Sequence, residues 1–255
     1  MAVEKIYILP GGFLDIDRSI FLSSTDMGQM IKSPVYSVLL MDSQGPILID
    51  AGLNPDGVKN PEKAWGPRAK LIKPQMSEED DVRIRLGEVG LSVSDIRMVI
   101  VTHLHWDHTG ALRFFDHCPI VVQRDEHRFA FDPDPFISAP YMANHFQHPL
   151  NYRLMDGDGF VAPDVSVIRT PGHTPGHQSV VVRLADGRSL IFPGDAIPLM
   201  ENLERKIALG NAYDAKKGFE SIYRLENLSK LLNAQILPSH DMAVFEAMNK
   251  IPVAL

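Results

Sequence analysis

Apolar and polar positions change over quickly along this chain. The runs KIYIL, YSVLLM, PILID, RMVIVTH, PIVVQ, VSVIRT, QSVVVRL, RSLIF and AQILP are short, mostly β-branched and bounded by Gly, Pro or Asp, the pattern that predicts strands. Two helical periods interrupt them. SEEDDVRIRLGEVG opens with Ser77 as a cap and Asp80 three positions on. From Asp214 to Leu232, the residues Phe219, Ile222, Leu225, Leu228 and Leu232 recur at three- to four-residue spacing, which predicts a helix laying one apolar stripe on a core. Strands and helices therefore interleave in both halves. Two segments carry no period, Leu53 to Gln75 and Asp132 to Leu150. Long irregular loops in a compact fold are usually lids or binding loops, so both are candidate walls of a site.

The chain has 255 residues, and sandwich folds of about 200–250 residues often form one unit, so residues 1–255 are expected to make a single domain. A hydrophobic fraction of 45% with 22% charged residues describes a chain with one large core and excludes a disordered one. The net charge of −7 argues against a broad phosphate-binding surface, so no nucleic-acid partner is expected. No segment approaches the ~20 apolar residues that span a bilayer, and the start MAVEKIYILPGG has no apolar run of signal-peptide length. The expectation is a cytoplasmic protein without a membrane partner. Cys118 is the one cysteine, which rules out an internal disulfide and a thiolate zinc site.

One stretch concentrates chemistry. VTHLHWDHTG places His103, His105, Asp107 and His108 directly after a β-branched run. Imidazole and carboxylate are the donors that suit Zn²⁺, Mn²⁺, Fe²⁺ or Co²⁺. A loop that follows a strand is also where open α/β sheets place active sites. Three more segments offer the same donors after apolar runs: His173 and His177 in TPGHTPGH, Asp195 in IFPGDA and His240 in LPSHD.

These residues resemble the signature of the metallo-β-lactamase superfamily, H-x-H-x-D-H followed in order by His173, Asp195 and His240, with Asp50 of ILIDAG at the early strand-end aspartate. The resemblance is closer to the N-acyl-homoserine lactonases. PVYSVLLMDSQGPILIDAG, KPQMSEEDD, PIVVQRDE, HPLNYRL and TPGHTPGHQS occur in one order. It implies an α/β fold of four layers, an αβ/βα sandwich with the site at one edge between two sheets. It implies two divalent transition-metal ions, Zn²⁺ foremost with Co²⁺, Mn²⁺ or Fe²⁺ as alternatives. His103, His105 and His173 would hold the first ion, Asp107, His108 and His240 the second, and Asp195 would bridge.

The implied reaction is opening of an N-acyl-homoserine lactone ring by hydroxide shared between the ions, with Asp107 carrying the proton to the leaving oxygen. Asp50 and His177 would hydrogen-bond ligands or backbone and fix imidazole tautomers. Trp106 either walls the substrate pocket or packs under the metal loop, while Trp65, Met27 and Met30 lie in segments that form the acyl groove in this family. The resemblance also suggests a homodimer. One departure stands out: where the lactonases carry a tyrosine three residues beyond the bridging aspartate, this chain has Pro198. Tyr213 is the candidate to supply a phenol from another direction. Competing readings are a lactonase for another lactone, a thioester hydrolase of the glyoxalase II type, for which no compact basic cluster lies beside the motifs, and an iron-dependent persulfide dioxygenase.

Overall fold

In the computed structural model, which describes residues 3–249, the apolar bursts become strands of two sheets. β1 (Val3–Asp17), β2 (Met30–Asp42), β3 (Gly45–Ile49), β4 (Met98–Ile100), β5 (Pro119–Gln123) and β6 (Asn151–Met155) form a six-stranded sheet in that spatial order. β7 (Gly159–Ala162), β8 (Val165–Arg169), β9 (Gln178–Arg183), β10 (Ser189–Phe192) and β11 (Ala234–Ile236) form a five-stranded sheet in the order β11-β10-β9-β8-β7. The first sheet begins antiparallel and turns parallel from β3 onward. In the second, β9 is antiparallel to both β8 and β10, and β11 runs parallel to β10. The consequence matters for the site: β8, β10 and β11 all point the same way, so their C-terminal ends share one edge.

Side chains alternate between two buried faces. Val38 and Leu40 of β2 and Ile47 and Ile49 of β3 meet Val180 and Val182 of β9 in the space between the sheets. The intervening Leu39 and Leu48 point outward onto Leu86, Leu112 and Phe115, and Val181 points outward onto Ile222 and Leu225 of the helix Ala215–Leu232. Strands covered on both faces read as uninterrupted apolar runs rather than alternating ones, and each fully buried Val, Leu or Ile contributes about 1.5–3 kcal/mol. The layers are helix, sheet, sheet, helix. No helix among the described residues is long and apolar enough to cross a membrane.

Three local expectations are corrected. Ser77 and Asp80 do form a reciprocal cap, but over the 3₁₀ turn Glu78–Asp80, and Asp81 caps the helix proper, Val82–Glu88. The stripe on the helix Ala215–Leu232 is narrower than its spacing predicts. Ile222 and Leu225 are buried, whereas Phe219 and Leu232 are 40% and 41% exposed, and Gly218 and Ser221 take buried places. At the N-terminal end the reason is a close approach of backbones: a Cβ on Gly172 would lie 2.2 Å from the Gly218 Cα, so the first turns meet a loop rather than an apolar surface. β6 and β7 were not expected from the apolar pattern. Each is the outer strand of its sheet, and NYRLM carries a polar face that hides it.

Candidate metal centre

The donors collect because strand ends do. β3 is followed by Asp50 and β4 by His103 and His105, with Asp107 and His108 on the helical turn Trp106–Thr109. From the second sheet, β8 delivers His173, β10 delivers Asp195 and β11 delivers His240. All seven predicted ligands are buried.

Asp195 lies between two groups. Its Oδ1 is 3.3 Å from the Nε2 atoms of both His108 and His240, and its Oδ2 is 3.5 Å from His173 Nε2 and 3.9 Å from His103 Nε2. On the first side Asp107 Oδ2 approaches the same two nitrogens at 3.9 and 3.8 Å. On the second, His105 Nδ1 faces His173 Nε2 at 2.9 Å. The donor atoms of His103, His105 and His173 all lie within 4.8 Å of one another, as do those of Asp107, His108 and His240. The Nε2 atoms of His103, His108 and His240 are buried without a hydrogen-bond partner. An unsatisfied buried nitrogen costs about 1–3 kcal/mol, so three aimed at one carboxylate-lined space fit a metal cation and little else.

The far side of each ring is held. His240 Nδ1 lies 2.9 Å from the Pro34 carbonyl, which can only accept, so Nδ1 carries the proton and Nε2 presents a lone pair. His108 Nδ1 donates in the same way to Asp50 Oδ2 at 2.8 Å. Asp50 also accepts from Thr102 N–H and Oγ1 at 2.8 and 2.9 Å, and Thr102 Oγ1 lies 3.1 Å from His103 Nδ1. To do this Asp50 adopts φ 56, a left-handed conformation of the kind that concentrates at functional sites. His177 acts on the bridging position through the main chain. Its Nε2 accepts the Asp195 N–H at 3.0 Å, while Nδ1 faces Thr170 Oγ1 at 2.9 Å. Burial pushes the His177 imidazole down to about 3, which keeps it a neutral acceptor.

The electrostatics are those of a cation site. Burial holds His103 and His105 well below the usual imidazole range, and neighbouring histidines add to the effect. For His108 burial acts in the same direction, but the charges of Asp195, Asp50 and Asp107 outweigh it and the ring titrates well above its ordinary value. Burial would raise Asp195; His240 and His108 overcome it and hold its carboxyl well below the usual range. Positive charge between these groups is strongly favoured.

Glu126 was not singled out from the sequence. It is fully buried at the start of the helix Arg124–Phe131. Oε1 accepts from Leu104 N–H at 2.9 Å and Tyr141 Oη at 3.2 Å, and Oε2 accepts from Thr174 Oγ1 at 2.6 Å and Gly176 N–H at 3.2 Å. Leu104 separates two ligand histidines and Thr174 follows a third, so one carboxylate ties the two ligand loops together. Gly176 makes this approach feasible, since a Cβ there would lie 2.0 Å from the Glu126 amide nitrogen. The only sequence signal was an acid three residues after the run PIVVQ, which reads as ordinary helix N-terminal charge.

Beside the donors opens a cleft of about 420 Å³ whose wall includes Leu14, Ile16, Phe21, Ile72, Phe136 and Trp106, with Arg68, His105, Asp107, His173 and Asp195. Trp106 thus lines the cleft. Trp65 does not: it is buried against Gly57. Met27 and Met30 are 81% and 54% exposed and also lie outside the lining. Tyr213 is not brought to the donors. Its Oη points to Asp134 Oδ2 at 3.4 Å and its ring stacks on Phe136 with centroids 5.9 Å apart. Pro198 is buried and its carbonyl accepts the His240 N–H at 2.9 Å. No tyrosine lines the cleft among the described residues.

Residues 31–240 match the model of the metallo-beta-lactamase superfamily. An N-acyl homoserine lactonase of Bacillus thuringiensis is 34% identical over 243 residues, 95% of each chain. A structure of a point mutant of Bacillus thuringiensis AiiA with N-decanoyl-L-homoserine bound at its active site is 33% identical, with a TM-score of 0.88 over 97% of both chains. An N-acyl homoserine lactone hydrolase with the product N-hexanoyl-L-homoserine at its catalytic metal centre gives the same values. Sequence, fold and donor geometry agree: the chain belongs to the metallo-β-lactamase superfamily and, within it, to the N-acyl homoserine lactonase family.

Proposed function

We propose that this protein is a metal-dependent lactonase that hydrolyses the ring ester of N-acyl homoserine lactones to the open N-acyl homoserines. The observation that carries this reading is the Asp195 carboxylate set between two donor trios, at the wall of an apolar cleft large enough for an acyl chain. The trios support two divalent ions per chain, and a set of imidazole and carboxylate without thiolate supports Zn²⁺. When bound, such ions lower the pKa of water toward neutrality and polarise an ester carbonyl.

The remaining work falls to the chain. Asp107 and Asp195 both line the cleft beside His105, and Asp107, the carboxylate not set between the two trios, is the proton carrier. Its carboxylate takes the proton released as water adds to the carbonyl and returns it to the ring oxygen as the C–O bond breaks, so the product leaves as acid and alcohol. Asp50, the Pro34 carbonyl and His177 hold His108, His240 and Asp195 in place before substrate arrives. Leu14, Ile16, Ile72 and Phe136 give the acyl chain an apolar wall and exclude water from the reacting end.

The test joins metal analysis to turnover. The gently purified protein is expected to hold close to two transition-metal ions and to open acyl-homoserine lactones far faster than S-lactoylglutathione. Asp195→Ala is expected to lose both ions together with more than a thousandfold of kcat/KM. Full activity with one ion, or a preference of orders of magnitude for the thioester, would sink the reading.

A further inference from the structure

The cleft contains one charged side chain that the hydrolytic chemistry does not use. Arg68 opens the helical turn Arg68–Leu71 and is half-buried, with its guanidinium carbon 5.8 Å from the Trp106 ring centroid. Other arginines have carboxylate partners, such as Arg83 with Asp81, Arg85 with Asp80 and Arg97 with Asp42. Among the described residues Arg68 forms no salt bridge and donates no side-chain hydrogen bond; burial pushes its pKa down, and the charge of Asp107 acts on it from a distance. A guanidinium stays ionised and offers five N–H donors. Water satisfies them while the cleft is open. An acyl chain entering the cleft displaces that water, and a purely methylene chain returns nothing to the donors.

On the reading that the cleft takes an acyl chain, we propose that Arg68 selects chains bearing a carbonyl or hydroxyl oxygen close to the amide, by donating to that oxygen from over Trp106. Two observations set the position and the chemistry. Arg68 and Trp106 line the same cleft as His105, Asp107 and Asp195, so the guanidinium and the donors face one space. The acceptor is neutral, because beyond Arg68, Asn211 and the metal donors the wall is apolar and would leave a buried anionic chain without further partners. A site built to hydrogen-bond an oxygen discriminates strongly against the analogue that lacks it, because its donors are then left unpaired.

The experiment compares N-octanoyl with N-(3-oxooctanoyl) homoserine lactone on metal-replete wild type and on Arg68→Met, with Arg68→Ala as the alternative truncation should the methionine variant fail to fold. Wild type is expected to favour the oxygen-bearing lactone at least tenfold in kcat/KM. In the truncated enzyme the ratio is expected to fall to within about threefold, chiefly through KM. A ratio that survives truncation overturns the proposal. So does an equal loss of kcat on both lactones, which would place the guanidinium at the reacting carbonyl instead. Wild type that opens both lactones without preference sinks this inference alone, whereas wild type that opens neither sinks the lactonase reading on which it rests.

Discussion

The two walls of the site are built by different rules. On the donor edge every proposed ligand is buried on a strand end or on the turn that follows it, and His103, His108, His240 and Asp195 are each held by a hydrogen bond with Thr102, Asp50, Pro34 or His177. On the cleft wall Leu14 and Ile16 come from β1, and the other groups come from loops and short turns. Apolar side chains meet there without a hydrogen-bond network, Phe136 is 75% exposed, and Arg68 has no partner. The contrast separates two tasks. Reaction chemistry needs donor atoms held to within a fraction of an ångström, which packed strand ends supply, whereas substrate selection needs a surface that can vary, and loops supply it.

Asp107 tests the donor edge most severely. On the roles proposed for it, Asp107→Asn removes a ligand charge and the proton carrier together, so kcat/KM is expected to fall at least a hundredfold, about 2.7 kcal/mol or more. Metal content measured on the same preparation divides the loss between the two roles. A defect below tenfold with metal content unchanged would show that the proton travels by another group.

A smaller effect is expected one layer further out. In Glu126→Gln the side chain keeps its shape, but one oxygen becomes an NH₂ that faces donors: either Leu104 N–H and Tyr141 Oη, or Thr174 Oγ1 and Gly176 N–H, lose their acceptor. The ligand loops should loosen relative to each other, weakening metal affinity about 10–100-fold. Titration against a competing chelator measures this, and added metal should restore most of the activity. A lower melting temperature with unchanged metal affinity would assign Glu126 to scaffolding alone.

The same contrast explains what the sequence could tell. The donor set was legible because coordination demands particular residue types after apolar runs, and His103, Asp195 and His240 have no cheaper explanation in those places. The sandwich was legible where strands are covered on both faces, as in β2 and β9, and illegible at the outer strands, β6 with its mixed polar pattern NYRLM and β7 with only the four residues GFVA. The cleft wall was not readable. Apolar residues in loops carry no mark of the direction they face, so Trp65 went under the loop beside Gly57 while Phe21, Ile72 and Phe136 turned toward the site. Arg68, Ile72 and Phe136 lay within the two aperiodic segments read as candidate walls of a site, but no pattern marked them individually. Glu126 escaped because its four partners come from segments 15 to 50 residues away in sequence, and no local pattern records them.

Tyr213 gives the smallest expected effect and the sharpest test of the boundary between the walls. Its hydroxyl faces Asp134 rather than the donors, and its ring stacks on Phe136 within the loop that borders the cleft. Its backbone N–H donates to the His173 carbonyl at 3.1 Å, a bond that no side-chain substitution removes. Tyr213→Phe therefore keeps the stacking and the main-chain contact and deletes only a long hydrogen bond to a loop carboxylate. The loss in kcat/KM is expected to stay under tenfold, less than about 1.4 kcal/mol, and to fall on KM as the Phe136 loop moves more freely. With both variants assayed at equal metal content, a kcat defect as large as that of Asp107→Asn would mean that the loop swings this phenol onto the substrate carbonyl during turnover. The space left by a tyrosine where Pro198 stands would then be served from the cleft wall, and the division of labour between rigid donors and variable loops would fail at this residue.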